Sequence, residues 1–127
     1  MTPLRALVVE DQPINLQLAL FVLQAEGFVV AGVGGAEEAI ALANTFRPDV
    51  ILMDIQMPEI AGLQAVRRLR ADPDTRHVVI VAFTAYAMKG DEQVMRAAGC
   101  DGYIAKPIDV ATFGASVREY VEATRSG

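Results

Sequence analysis

Five times along this chain, a short run of β-branched and apolar residues is followed by a stretch with the apolar spacing of a helix. The predicted strands cover residues 4–9, 28–33, 49–53, 78–83 and 102–105. The predicted helices cover residues 13–26, 36–46, 60–71, 87–98 and 109–124. The first, third and fourth strands are almost continuously apolar, which is typical of parallel strands buried on both faces. Because parallel neighbours need crossover connections, the alternation predicts an α/β fold with a doubly wound, five-stranded parallel sheet and five helices.

Glycine and proline mark the ends of several predicted helices. Gly27 and Gly99 follow the first and fourth helices, where a glycine can adopt the left-handed conformation of a cap. Pro48 follows the second helix, and an Asp-Pro-Asp turn at residues 72–74 follows the third. No linker or repeat interrupts the 127 residues, so we expect one domain over 1–127.

Composition excludes several classes of protein. The net charge is −5, and the largest basic cluster (Arg67, Arg68 and Arg70) fits a solvated helix face, so nucleic-acid binding is not expected. The chain has no apolar segment near ~18 residues and no signal peptide, so we expect a cytoplasmic protein with no membrane partner. Cys100 is the single cysteine, which excludes an intrachain disulfide and fits a small buried side chain.

Chemically active residues stand at the ends of four of the predicted strands, whereas the second strand ends in glycines. Glu10 and Asp11 follow the first strand, Asp54 the third, Thr84 the fourth and Lys106 the fifth. The carboxyl ends of the strands in an open parallel sheet line one crevice, where ligands bind. The sequence therefore brings three carboxylates, a hydroxyl and an ammonium to one edge, a set that suits a divalent cation and a phosphoryl group.

The three carboxylates fit Mg²⁺, which prefers oxygen ligands and is usually held by one or two carboxylates plus a phosphate. Crowded anions repel one another by roughly 4 kcal/mol per pair at ~4 Å and an effective dielectric near 20, and a metal would offset that repulsion. Asp54 follows the most uniformly apolar strand and is the candidate nucleophile for a phosphoryl group. Lys106 would pair with that group as a point charge, and Thr84 would donate a hydrogen bond to it.

The first predicted helix is more apolar than one buried stripe requires. Its inner face is predicted to hold Leu18, Ala19, Val22 and Leu23. An outer stripe of Ile14, Gln17 and Phe21 would then lie beside the acidic crevice. An exposed apolar stripe next to a reactive centre predicts a docking surface for a partner protein.

These motifs together resemble the receiver domain of two-component response regulators, over essentially the whole chain. The segment from Thr84 to Pro107 is most similar to stand-alone DivK-type receivers of bacterial cell-cycle phosphorelays, and similar segments occur in receivers attached to hybrid histidine kinases. The motifs that carry the resemblance are Glu10-Asp11, Asp54-Ile55-Gln56-Met57-Pro58 with Gly62, Thr84-Ala85, and Tyr103 three residues before Lys106-Pro107.

The resemblance implies a flavodoxin-like sheet with strand order 2-1-3-4-5 and a phosphoacceptor rather than an enzyme. Asp54 would take a phosphoryl group from a phosphohistidine on a histidine kinase or histidine phosphotransferase. Glu10, Asp11, Asp54 and the backbone carbonyl of Gln56 would hold Mg²⁺, and Lys106 would bind the phosphoryl group.

The resemblance also implies a switch. Thr84 would move toward the phosphoryl group and Tyr103 would turn inward behind it, so that the face formed by helix 4, strand 5 and helix 5 would regulate a downstream protein target. The Lys106–Pro107 peptide is a candidate cis bond, as in many receivers. Met1 directly before the first strand favours a complete protein over a receiver excised from a hybrid kinase.

Two departures from the family pattern bear on these expectations. Ala61 stands where many relatives have aspartate, a position usually outside the metal shell, so the predicted function is unchanged. Gln56 and Tyr86 lie two residues after the acceptor and after Thr84, positions that influence access of water to the acyl phosphate, so the phosphoryl lifetime stays open.

Other functions fit the residues less well. A hydrolase with an aspartyl-phosphate intermediate would need a general acid where Gln56 stands. Residues 10–11 would repel the phosphate of a flavin, and residues 32–37 begin like a dinucleotide-binding fingerprint but lack its last glycine. A phosphohistidine carrier would have to use His77, the only histidine, which lies in a polar turn. A receiver that had lost phosphorylation would lack a site residue, and none is missing.

Overall fold

The computed structural model describes residues 2–55, 61–84 and 89–126. The strands are β1 (Arg5–Val9), β2 (Val29–Val33), β3 (Val50–Asp54), β4 (Val79–Thr84) and β5 (Gly102–Ala105). The helices are α1 (Pro13–Ala25), α2 (Ala36–Phe46), α3 (Ala61–Ala71), α4 (Lys89–Ala98) and α5 (Phe113–Ser126). The five strands form one parallel sheet in the order β2-β1-β3-β4-β5, which confirms the predicted fold class and strand order.

Two hydrophobic cores lie on opposite faces of the sheet, because successive side chains of a strand point to opposite sides. The core that contains Leu52 is completed by α1 and α5, and the core that contains Met53 by α2, α3 and α4. Every residue of β3 and β4 is buried, which explains why these two strands are almost continuously apolar. No helix in the described parts of the chain is both long and apolar enough to cross a lipid bilayer.

The turns that follow the helices agree with the glycines and prolines of the sequence. Gly27 and Gly99 have φ angles of 104° and 119°, in the region that favours glycine. Helix α2 ends differently, because Arg47 adopts the left-handed conformation with φ of 53° directly before Pro48. In the turn of residues 72–74 an aspartate carboxylate accepts a hydrogen bond from a backbone N–H two residues ahead.

The start of α5 differs from the prediction, since the helix begins at Phe113 rather than at residue 109. The Asp109 carboxylate accepts a hydrogen bond from Ala111 N–H at 3.0 Å, and its carbonyl accepts from Thr112 and Phe113. Aspartate favours such local turns over continuous helix, so residues 109–112 form a separate turn ahead of α5. The ends of β3 and β4 also shift by one residue, so that Asp54 and Thr84 are the last strand residues rather than the first residues beyond.

The three arginines of α3 do not share one environment. Arg67 and Arg68 are exposed, but the Arg70 side chain is only 22% exposed. Its guanidinium donates hydrogen bonds to three carbonyls and one carboxylate, those of Gly99, Arg76, Val78 and Asp101. The solvated helix face expected for this cluster is therefore wrong for Arg70, which joins the end of α3 to the turns that precede β4 and β5.

Candidate functional site

The acidic residues meet at the carboxyl edge of the sheet. Glu10 directly follows β1 and Asp54 ends β3, and the pairing of Val9 with Met53 brings these two strand ends side by side. Asp11 is the next residue along the chain. One carboxylate oxygen from each of the three acids lies within 4.8 Å of the others. Glu10 and Asp54 are each 1% exposed, whereas Asp11 is exposed, so the cluster opens to solvent on one side.

Lys106 closes the other side of this cluster. Its Nζ lies 2.7 Å from Glu10 Oε2 and 3.3 Å from Asp54 Oδ2, and its side chain is 14% exposed. The ammonium also lies 4.8 Å from the centroid of the Phe83 ring, a favourable cation–π contact. The backbone holds the lysine at the strand end, because Lys106 N–H donates to the carbonyl of Thr84 at 2.7 Å. The Lys106–Pro107 peptide is cis, as expected.

The described side chains of the cluster carry more negative charge than positive charge. Among the side chains that the structure describes, two buried carboxylates face one ammonium, and Asp11 adds a further carboxylate at the rim. Burial raises the pKa of Glu10, and the charge of Asp54 raises it further, while the Lys106 ammonium and the N–H of Gln12 oppose the shift. An all-oxygen donor set with surplus negative charge fits Mg²⁺. Glu10, Asp11 and Asp54 are therefore suited to hold that ion.

Thr84 and Tyr103 lie on the same face of the sheet, on neighbouring strands. Thr84 is 1% exposed and is two residues beyond Ala82, which belongs to the core beneath α2, α3 and α4. Tyr103 pairs with Ala82 across the ladder, and its half-buried side chain packs against the same core. The two residues expected to form a switch therefore share one face next to α4.

Gly62 allows α3 to approach the acceptor strand closely. A Cβ at this position would lie 2.7 Å from the carbonyl oxygen of Asp54 and 2.8 Å from Cα of Ile55. Both are backbone atoms, which cannot rotate away as a side chain can. Gly62 therefore permits the short distance between α3 and the end of β3.

The outer stripe of α1 is exposed as predicted. Ile14 is 76% exposed and Phe21 is 69% exposed, and Gln17 between them is exposed as well. The inner face is formed by Ala19, Val22 and Leu23, which are buried, with Leu18 half-buried beside them. The stripe begins at Ile14, the second residue of the helix that follows Asp11, so it starts at the rim of the acidic cluster.

The sole cysteine and the sole histidine lie away from the site. Cys100 is 5% exposed, and burial raises the pKa of its thiol to about 11, as expected for an unreactive packed side chain. His77 is exposed in the turn before β4, at the edge of the sheet opposite the acids. Gln56 and Tyr86, two positions singled out by the sequence, lie outside the described residues.

Sequence reasoning did not identify the surroundings of the lysine. The sequence predicts Phe83 only as part of a buried strand, and no motif includes Asn15. Together with Lys106, Pro107 and Ile108, they line a cavity of about 160 Å³ beside the ammonium. No sequence signal marks such a cavity, because its walls come from α1, β4 and the segment after β5.

Comparison with known proteins agrees with this geometry. The family model described as "Response regulator receiver domain" matches residues 6–118. The polar-differentiation response regulator DivK of Brucella anthropi is 41% identical over 119 residues, which are 94% of this chain and 97% of that protein. The DivK protein of Brucella ovis is 41% identical over 115 residues, 91% of this chain and 94% of its own.

Solved structures share this fold, and the matches cover nearly all of both chains. The chemotaxis response regulator CheY4 of Vibrio cholerae superposes with a TM-score of 0.87 at 27% identity, covering 94% of this chain and 99% of its own. The receiver domain of a sensor histidine kinase from Pseudomonas aeruginosa, described with a magnesium ion coordinated in its active site cleft, has a TM-score of 0.84 at 33% identity. That match covers 95% of this chain and 99% of the other. The chain belongs to the response regulator receiver family.

Proposed function

We propose that Asp54 is the phosphoacceptor of this receiver and that Lys106, Glu10 and Asp11 complete its reaction site. The observation that carries the proposal is the Lys106 ammonium, which lies 3.3 Å from Asp54 in a pocket formed by two buried carboxylates. A single buried aspartate next to a lysine and two further acids suits phosphoryl transfer, in which catalysis is mainly positioning and charge stabilisation.

In the proposed reaction, an Asp54 oxygen attacks the phosphorus of a phosphohistidine on the kinase or phosphotransferase. The P–N bond breaks, the imidazole leaves with the electron pair, and an acyl phosphate forms on Asp54. Lys106 pairs with the oxygens of the transferred group. Its contact with the Phe83 ring helps to hold the ammonium in position for this pairing. Glu10, Asp11, Asp54 and the backbone carbonyl of Gln56 would hold Mg²⁺, which when bound would supply positive charge to offset the charge of those oxygens.

The exposed stripe of Ile14, Gln17 and Phe21 is proposed as the surface that receives the phosphodonor. Ile14, close after Asp11 in the chain, and Phe21, about two turns further along α1, are both more than two-thirds exposed. Because such a patch lowers its free energy when covered, a helical partner carrying the phosphohistidine would gain from docking there.

The phosphoryl group is proposed to act through Thr84 and Tyr103. Charge-assisted hydrogen bonds from Thr84 and Lys106 contribute roughly 1.5–3 kcal/mol each. Moving a two-state equilibrium from 1:99 to 99:1 takes about 5.5 kcal/mol, so two such bonds have the required size. The shared face of Thr84 and Tyr103 next to α4 supports a transfer of motion to the surface of α4, β5 and α5, where a target protein would bind.

Phosphoryl transfer from a small phosphodonor tests this proposal without a partner protein. Intact mass after incubation with Mg²⁺ and acetyl phosphate is expected to show one phosphoryl group on the parent chain and none on Asp54→Asn. A chelator should abolish labelling. Labelling of Asp54→Asn at the parental rate would show that the acceptor lies elsewhere.

A further inference from the structure

The Tyr120 side chain joins α5 directly to the backbone of β5. Its hydroxyl donates a hydrogen bond of 2.9 Å to the carbonyl of Tyr103. Its ring lies against Gly102, where a Cβ would overlap the ring atoms. Because no side chain separates the ring from the strand, Tyr120 contacts the β5 backbone through both its hydroxyl and its ring.

Tyr103 thereby contacts both layers of the fold. Its own side chain packs against the core beneath α2, α3 and α4. Its carbonyl accepts a hydrogen bond from Tyr120, whose partly buried ring packs against the core beneath α1 and α5. β5 is the edge strand of the sheet, and within the described parts of the chain β4 is its one strand neighbour.

We propose that Tyr120 is the positioning residue that transmits a displacement of Tyr103 to α5. The inference rests on the proposed function, in which phosphorylation moves Thr84 and Tyr103. Both of those side chains belong to the face covered by α4, whereas α5 lies on the opposite face. α5 packs on β4 through contacts such as Phe83 with Phe113. The hydrogen bond from Tyr120 to Tyr103 adds a direct connection from α5 to the backbone of the switch residue on β5.

The surface that this connection would alter is a groove along α5. The groove has a volume of about 360 Å³ and is lined by Ser116, Glu119, Tyr120 and Ala123. Since Tyr120 forms part of its wall, a shift of the Tyr103 carbonyl changes the groove through the ring of Tyr120. The face presented to a target protein would thus respond at α5 as well as at α4.

Tyr120→Phe is the variant that tests this role, because it keeps the ring on Gly102 and removes only the hydroxyl. Ser116→Ala is the matched control, since it removes a half-buried hydroxyl from the same helix and the same groove. Amide hydrogen exchange is measured for parent and variants, with and without beryllofluoride and Mg²⁺ as a phosphoryl mimic. Labelling by acetyl phosphate is measured in parallel and is expected to stay at the parental rate in both variants.

In the parent, beryllofluoride is expected to change amide exchange in β4, β5 and α5. In Tyr120→Phe the change in β4 should persist, while the change across residues 113–126 should fall about fivefold, the effect of one neutral hydrogen bond on an equilibrium. A parental response of α5 in Tyr120→Phe would overturn the inference, as would an equal loss in Ser116→Ala. No response at Thr84 in the parent would overturn the proposed switch itself and this inference with it.

Discussion

Gly62→Ala should destabilise the fold although alanine normally favours a helix. The added Cβ would lie 2.7 Å from the carbonyl oxygen of Asp54 and 2.8 Å from Cα of Ile55, so backbone must move to admit it. Overpacking of this kind costs about 1–3 kcal/mol. Alanine regains at most about 1 kcal/mol over glycine inside a helix. Because both close atoms are backbone, the upper part of the overpacking range applies, about 2–3 kcal/mol. Subtracting about 1 kcal/mol for the helix preference of alanine leaves a net loss of about 1–2 kcal/mol in the free energy of unfolding.

The matched control for this variant is Gly34→Ala. The nearest atom to a Cβ at Gly34 is the carbonyl oxygen of Glu10 at 4.0 Å, an ordinary contact, so its stability should change by no more than about 0.5 kcal/mol. Urea denaturation measures both variants, and acetyl phosphate labelling follows the acceptor. Labelling of Gly62→Ala should slow because the clash displaces the backbone of Asp54. A Gly62→Ala variant as stable as the parent would show that α3 can accept a Cβ at this position without displacing the backbone of Asp54.

Three further outcomes follow from the structure. Ile14→Arg and Phe21→Arg should slow transfer from a phosphohistidine partner while acetyl phosphate labelling stays parental; equal loss with both donors would mean misfolding instead of lost docking. In the folded protein the pKa of the Cys100 thiol is raised from 9.0 to about 11. The neutral thiol therefore contributes fully to the free energy of unfolding below pH 9, and this contribution is lost as pH rises through 11. The stability difference between parent and Cys100→Ala should therefore fall by up to about 2–3 kcal/mol over that range in urea titrations, and a constant difference would contradict the shift. Arg70→Met should destabilise the chain by roughly 2–4 kcal/mol because four acceptors lose their donor, whereas exposed Arg67→Met should stay within about 0.5 kcal/mol in the same titrations.

The fold and the acidic cluster could be predicted because both depend on strand order and burial. Strands buried on both faces leave continuous apolar runs, and the polar residue that ends each run is placed at one edge by the parallel topology. Glu10, Asp11, Asp54 and Lys106 accordingly meet as the sequence indicates.

The roles of Arg70 and Tyr120 could not be predicted, because each depends on a segment distant in the chain. Arg70 has the spacing of a solvated helix face, and its acceptors come from the turns before β4 and β5, which the sequence does not place beside α3. Tyr120 has the spacing of an ordinary amphipathic helix, and its bond to Tyr103 depends on where α5 crosses the edge strand. The start of α5 at Phe113 differs from the predicted start at residue 109 because of a local interaction. The Asp109 carboxylate accepts a hydrogen bond from Ala111 N–H, which stabilises a separate turn where the helix would otherwise begin.

The most direct test of the account is to locate the phosphoryl group chemically. An acyl phosphate on an aspartate is reduced by borohydride to a homoserine, which peptide mass spectrometry can place within the chain. After treatment with acetyl phosphate and Mg²⁺, we expect this conversion to occur at Asp54 alone and to disappear when a chelator is present. Conversion at Glu10 or Asp11, or conversion at Asp54 that is unaffected by the chelator, would contradict it.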